Sequence, residues 1–328
     1  MSQFASRIRA SVAAAAFCLT AALPASALAD PMRIAFGDIA SVELLHLLAA
    51  IERTKEQGVD IDVTFLKSED IAAQAVVSGQ ADIGVGGPYT LVQKVKAPVR
   101  MFIQLSKLQF YPVVNSEFYK DWKDLDGQEI AVHSRGSGTE AIMKLMADKN
   151  GIAYSNISYV PGAEVRTGAL LQGNVKATIV DSSGKRVLED KAPGKFVFLP
   201  LGDISATDEA LFANTDYLEK NAKDVEVLVE NILTTWREVA ADPKAAIAMR
   251  EKYGLLPDAT PEMIADIEPY FTELGPNLPV NGGSDAADDD FEFYTISGAL
   301  EGKPEDLKVA DFWDLRPLEA VLGRIGTQ

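Results

Sequence analysis

Apolar and polar positions alternate in two rhythms along the first two-thirds of the chain. Arg33-Ile34-Ala35-Phe36 predicts a short buried strand, Gly37 to Ser41 a turn, and Val42 to Glu52 a helix with apolar residues at Leu44, Leu45, Leu47, Leu48 and Ile51. Ile61 to Leu66 alternates as a strand does. Glu69 to Ser78 predicts a helix closed by Gly79, and Ala81 to Val85 a strand broken by Gly86-Gly87-Pro88, where Pro88 opens the next helix. Beyond Thr207 the pattern is largely helical: Asn221 to Val239 and Pro243 to Tyr253 are amphipathic, and Pro261 starts a helix toward Tyr270.

Part of this pattern recurs. Ala75-Val76-Val77-Ser78-Gly79-Gln80-Ala81 aligns with Ala169-Leu170-Leu171-Gln172-Gly173-Asn174-Val175, and Arg33-Ile34-Ala35-Phe36 with Glu129-Ile130-Ala131-Val132. Two strand–helix–strand–helix–strand units in one order predict a pair of related α/β lobes with mostly parallel sheets. Loops after the strands then meet in a cleft, where ligands of such sheets bind. The reading divides the chain into one lobe of residues 30–112 with 213–328 and another of 113–212. Links near Tyr111 to Asn115 and Leu201 to Thr215 would form the hinge.

The N-terminus adds an address. Arg7 and Arg9, an apolar run from Ala10 to Leu23, and Ala27-Leu28-Ala29 form the three parts of a secretory signal, cleaved after Ala29. The run is too short to span a bilayer, which takes about 20 residues. Cys18, the only cysteine, lies within it, so the exported chain has no thiol for a disulfide, a metal or catalysis. A net charge of −17 argues against nucleic acid and anionic membrane as partners. No serine-hydrolase elbow, Walker loop or zinc-protease motif is present, so an enzyme and a cofactor are not expected. Asp288-Asp289-Asp290 lacks the spaced ligands of a calcium loop and reads as a solvated acidic stretch. His46 reads as packing within an apolar helix and His133 as structural.

Four loops supply candidate ligand groups. Gly37–Ser41 carries Asp38 and Ser41; Gly86–Tyr89 carries Gly87 and Tyr89; Ser134–Thr139 carries Arg135, Ser137, Gly138 and Thr139; and Asp181 opens the fourth. Glycine amides, hydroxyls and the start of a helix near Glu140 make the third loop a candidate anion cradle. Tyr89, Phe110 and Tyr111 offer an aromatic wall. Asp38 and Asp181 suit an ammonium and Arg135 an anionic group, which together would fit a zwitterion such as an aminosulfonate; either aspartate would also serve as a helix cap.

Gln74-Ala75-Val76-Val77-Ser78-Gly79-Gln80-Ala81-Asp82-Ile83-Gly84 and Trp122-Lys123-Asp124-Leu125-Asp126-Gly127-Gln128-Glu129-Ile130-Ala131-Val132 resemble the NMT1/THI5-like solute-binding proteins for nitrate, sulfonates, taurine and thiamine-precursor pyrimidines. The resemblance spans roughly residues 30 to 240; Lys176 departs from it, standing where many relatives carry an acid. It implies a type II periplasmic-binding-protein fold with the ligand cleft between its lobes. It also implies a monomeric periplasmic protein that captures a small polar organic solute, sulfonate- or taurine-like, for an ABC permease of the inner membrane. A pyrimidine precursor or aromatic carboxylate is the alternative ligand. Fungal relatives that synthesise a pyrimidine use a histidine and a cysteine-rich motif, and the second is missing here.

Overall fold

A computed structural model describes residues 30–202 and 204–327; the expected signal segment lies outside the described residues. The chain runs through β1 (Met32–Phe36), α1 (Leu45–Glu56), β2 (Ile61–Phe65), α2 (Glu69–Val77), β3 (Ile83–Gly86), α3 (Tyr89–Val95) and β4 (Val99–Gln104). It crosses to β5 (Tyr111–Asn115), β6 (Glu129–Val132), α4 (Gly138–Asn150), β7 (Asn156–Tyr159), α5 (Ala163–Leu171), β8 (Ala177–Val180), α6 (Ser182–Lys191) and β9 (Phe196–Phe198). It returns through β10 (Ala210–Asn214), α7 (Thr215–Lys220), α8 (Ala222–Ala241), α9 (Ala245–Tyr253), α10 (Pro261–Leu274), α11 (Ala287–Ile296), α12 (Val309–Phe312) and α13 (Arg316–Ile325).

The repeat extends to individual bonds. After α2, Gly79 N–H donates to Val76 O (3.1 Å) and Gln80 N–H to Ala75 O (2.8 Å); after α5, Gly173 N–H donates to Leu170 O (3.1 Å) and Asn174 N–H to Ala169 O (2.9 Å). Both glycines have positive φ, +75° and +77°, which a side chain would strain. Each helix thus ends in one turn and feeds a strand buried along its length, β3 or β8.

The first sheet is mostly parallel, as expected: four of its five strands run in one direction and one is reversed. In its order, β2-β1-β3-β10-β4, β1 is parallel to β2 and β3, but β10 runs antiparallel to β3 and β4. In the second half β6 and β7 pair in parallel, whereas β5 is antiparallel to β8 and β9. Thr178 Oγ1 of β8 donates to Ala131 O of β6 at 2.8 Å and links these two ladders.

The expected hinge segments are strands. Tyr111–Asn115 is β5, and residues 210–214 form β10 at the heart of the first sheet, because Leu211, Phe212 and Ala213 are all fully buried. The crossings lie just outside them and pair with each other. Leu105 N–H donates to Glu209 O (2.8 Å), Asp208 N–H to Ser106 O (3.0 Å), and Leu108 N–H to Ala206 O (2.9 Å). The predicted start of α1 at Val42 is also early, since residues 42–44 form a turn.

The largest core joins α1 and the first sheet to α8 and α10, around Phe36, Leu45, Trp236 and Phe271. No described helix is long and apolar enough to cross a membrane.

Candidate functional site

Loops at the carboxyl ends of the strands face each other between the two sheets. Asp38, after β1, is buried; its Oδ1 accepts from Ile39 N–H at 2.7 Å and lies 3.9 Å from His133 Nδ1. His133 follows β6 and bridges the halves: Nε2 stands 3.0 Å from Gly37 O, and Nδ1 accepts from Gly162 N–H at 3.3 Å. A carbonyl partner on one nitrogen and an amide donor on the other fix the neutral Nε2–H tautomer. Burial pushes the pKa down in the same direction, outweighing Asp38.

The Ser134–Thr139 loop satisfies itself. Ser137 Oγ caps α4 by accepting from Glu140 N–H (3.3 Å), donates to Ser134 O (2.8 Å), and lies 2.9 Å from Thr139 Oγ1, which accepts from His133 N–H (3.0 Å). The Gly136 amide, a candidate anion donor, is taken by the chain's own Glu140 carboxylate at 2.7 Å. Arg135 is exposed and lies over the Tyr159 ring, 5.2 Å from its centroid. Gly138 serves close approach: a Cβ there would stand 2.8 Å from Asp208 Oδ1 and 2.3 Å from Leu108 Cδ2.

The remaining candidates divide. Asp181 caps α6, its Oδ1 accepting from Gly184 N–H at 2.8 Å. Gly87 N–H donates to Glu69 Oε2 at 2.7 Å. Tyr89 does not form a ligand wall: it is buried in the core, its hydroxyl donating to Asp290 and accepting from Trp313 Nε1–H. Tyr111 instead donates to Glu273 of α10 (2.8 Å), with Lys185 over its ring.

Three abutting spaces open between the halves. One of about 20 Å³ is lined by Asp38, Glu69, His133, Ser137, Thr139 and Arg166, among others. It shares Glu43, Phe110, Asp208 and Glu209 with a second, of about 30 Å³, which His46, Asp181, Trp236 and Tyr270 also line. That one shares Glu43 and Asp181 with a cavity of about 370 Å³ lined by Ser41, Thr167, Ser183 and Asp266. Phe110 and Asp181 thus stand where the spaces join; Gly87 and Arg135 line an outer pocket of about 260 Å³, which adjoins the first space at Glu69.

Four acids and one base of this chamber were not singled out in the sequence: Glu43, Glu69, Asp208, Glu209 and Arg166. Arg166 is 1 % exposed and donates to Ile179 O and Val160 O, both at 2.9 Å. Burial, then the charge of Asp208, pushes Glu69 up to about 8; burial, then Asp38, pushes Asp208 up to about 7. Burial first, and then neighbouring acids, raise Glu43 and Glu209 well above the usual range. The acids therefore share protons near neutrality. An arginine inside the helix Ala163–Leu171 is the one local signal of this cluster that the sequence offers.

Two α/β halves joined by two paired crossings, with their strand-end loops facing each other and a cavity of about 370 Å³ between α5 and α6 of one half and α10 of the other, define a periplasmic-binding-protein fold. A family model described as NMT1/THI5 like matches residues 47–246, and the chain belongs to that family. A Bordetella bronchiseptica RB50 structure superposes with a TM-score of 0.72 at 18% identity, covering 90% of this chain and 98% of that one. The periplasmic nitrate-binding protein NrtA of Synechocystis PCC 6803 gives 0.69 at 12% identity, covering 91% and 90%. The alkanesulfonate-binding protein SsuA of Xanthomonas axonopodis pv. citri, bound to MOPS, gives 0.61 at 17%, covering 86% and 98%. A search of curated protein sequences gives no significant match.

Proposed function

We propose that this chain is the exported solute-binding component of an ABC-type importer. It traps a small polar organic solute between lobes 30–112 with 213–328 and 113–212, and carries it through the periplasm, as a monomer, to a permease of the inner membrane. The observation that carries this is the shared chamber. Asp38, Glu43 and Glu69 come to it from the first half, His133, Arg166 and Asp181 from the second, and Asp208 and Glu209 from a crossing. A solute touching both sides favours the closed form, because that form alone makes every contact. The membership of the family and the nitrate- and alkanesulfonate-binding neighbours support the same reading. Binding is the whole task; no bond-making step is assigned to His133 or any other lining residue.

Thermal unfolding of the purified protein, with and without a protein-free extract of small molecules, tests this. A solute present at a hundred times its Kd adds about 2.7 kcal/mol to stability, so the melting temperature is expected to rise by several degrees. No rise with any extract would contradict the assignment.

A further inference from the structure

The carboxyl-rich lining of the chamber points to a class of solute, an inference that rests on the solute-binding reading. Asp38, Glu43, Glu69, Asp181, Asp208 and Glu209 all line it. Against these acids Arg166 is the only buried cation among the described lining residues, and two of its nitrogens already serve backbone carbonyls. Lys107 and Lys191 stand at the edges and are exposed. Arg186, beside the large cavity, is engaged by Asp266 (2.8 Å) and Glu273 (2.6 Å).

Independent of the acids, the buried Ser41 hydroxyl faces the space without a partner, and beside it stands His46, whose ring packs on Trp236 with the Glu43 carbonyl nearby. Ser41 Oγ, in a residue 5 % exposed, lines the cavity of about 370 Å³ and makes no hydrogen bond. His46, also 5 % exposed, lines the neighbouring chamber, and neither of its ring nitrogens meets hydrogen-bond geometry. Burial pushes its pKa down to about 3, so the ring is neutral and offers one acceptor. Phe110 and Trp236 add aromatic surface beside the acids, and ring faces attract cations. A metal ion is not indicated, since no His, Cys, Asp or Glu cluster of ligating size occurs among the described residues.

The expected anion cradle has meanwhile been closed by Glu140, and Arg135 lies in another pocket. The ammonium end of an aminosulfonate finds several carboxyl partners in the chamber; its sulfonate end finds only Arg166, two of whose nitrogens serve backbone carbonyls. We propose that the chamber binds a compact organic cation with several N–H donors (an amine, amidine or guanidine) and rejects sulfonates and nitrate.

Calorimetry and thermal unfolding with putrescine, agmatine and benzamidine, against taurine, methanesulfonate and nitrate, test this on the wild-type protein and on Asp208→Asn and Glu209→Gln. At least one cation should bind at micromolar concentration and raise the melting temperature, the three sulfur and nitrogen oxyanion compounds should not, and each substitution should weaken the cation at least tenfold. Both variants should melt no lower than wild type without solute, because each removes a mutually repelled acid; this separates lost binding from lost folding. Binding of an anion in place of the cations, or cation affinity unchanged in both variants, would overturn the proposal. So would the absence of any shift from the cations. In that case a shift with the small-molecule extract leaves the solute-binding reading standing, and none removes both.

Discussion

At Glu69 one oxygen takes the Gly87 amide while the buried side chain faces Asp208, Asp38 and Asp70. An acid whose pKa rises from about 4.3 unfolded to about 8 folded keeps its proton in the native state over that interval. The unfolded chain has lost its proton there, so stability is full below pH 4 and falls as pH rises toward 8, by up to roughly 1.4 kcal/mol per pH unit per proton retained. Asp208 adds the same sign up to about 7; Arg166 opposes it on Asp208, and neutral His133 adds no charge. The solute-free protein should therefore melt higher at pH 5.5 than at pH 8. Glu69→Gln, whose amide oxygen can still accept from Gly87, should flatten that slope and raise the melting temperature at pH 8. An unchanged slope would show that Glu69 is ionised throughout. Asp38, Ser41 and Asp181 drew notice in the sequence because they end strands or open helices. Asp208 and Glu69 did not, because only the approach of a distant acid makes them unusual.

Among the elements, those set by local pattern were the legible ones. The offset between Gly79 and Gly173 carried a real duplication, down to the carbonyls that close each turn. β10 escaped notice because its five residues, Ala-Leu-Phe-Ala-Asn, sit between acids and a helix start and lack strand alternation. Its place is decided by tertiary fit: the Phe212 ring fills the space above Gly84, where a Cβ would come within 2.1 Å of it. Removing a fully buried phenylalanine ring costs about 3–5 kcal/mol. Phe212→Ala should lose that much stability in urea unfolding, whereas a loss below about 1 kcal/mol would mean that β10 is not a load of the first sheet's core. The self-satisfied Ser134–Thr139 loop teaches the converse. Its glycines and hydroxyls marked an anion site in sequence, but Glu140, in the first turn of α4, already occupies the amide they offer.

For the whole molecule, several ties hold the halves face to face: the His133–Gly37 bond, the contact of Glu69 N–H with Ser134 Oγ, and the grip of α10 on Arg186 and Ser183. They arrange nine carboxyls and one buried guanidinium around the three joined spaces. Family membership fixes the scaffold, while these side chains set what it can hold. A crystal structure grown with the solute that the protein captures bears on this most directly. Density is expected for one cationic molecule between Asp208 and Glu209 on one side and Asp181 on the other, within reach of Ser41 or His46. Solute bound on an outer face, with this chamber empty, would contradict it.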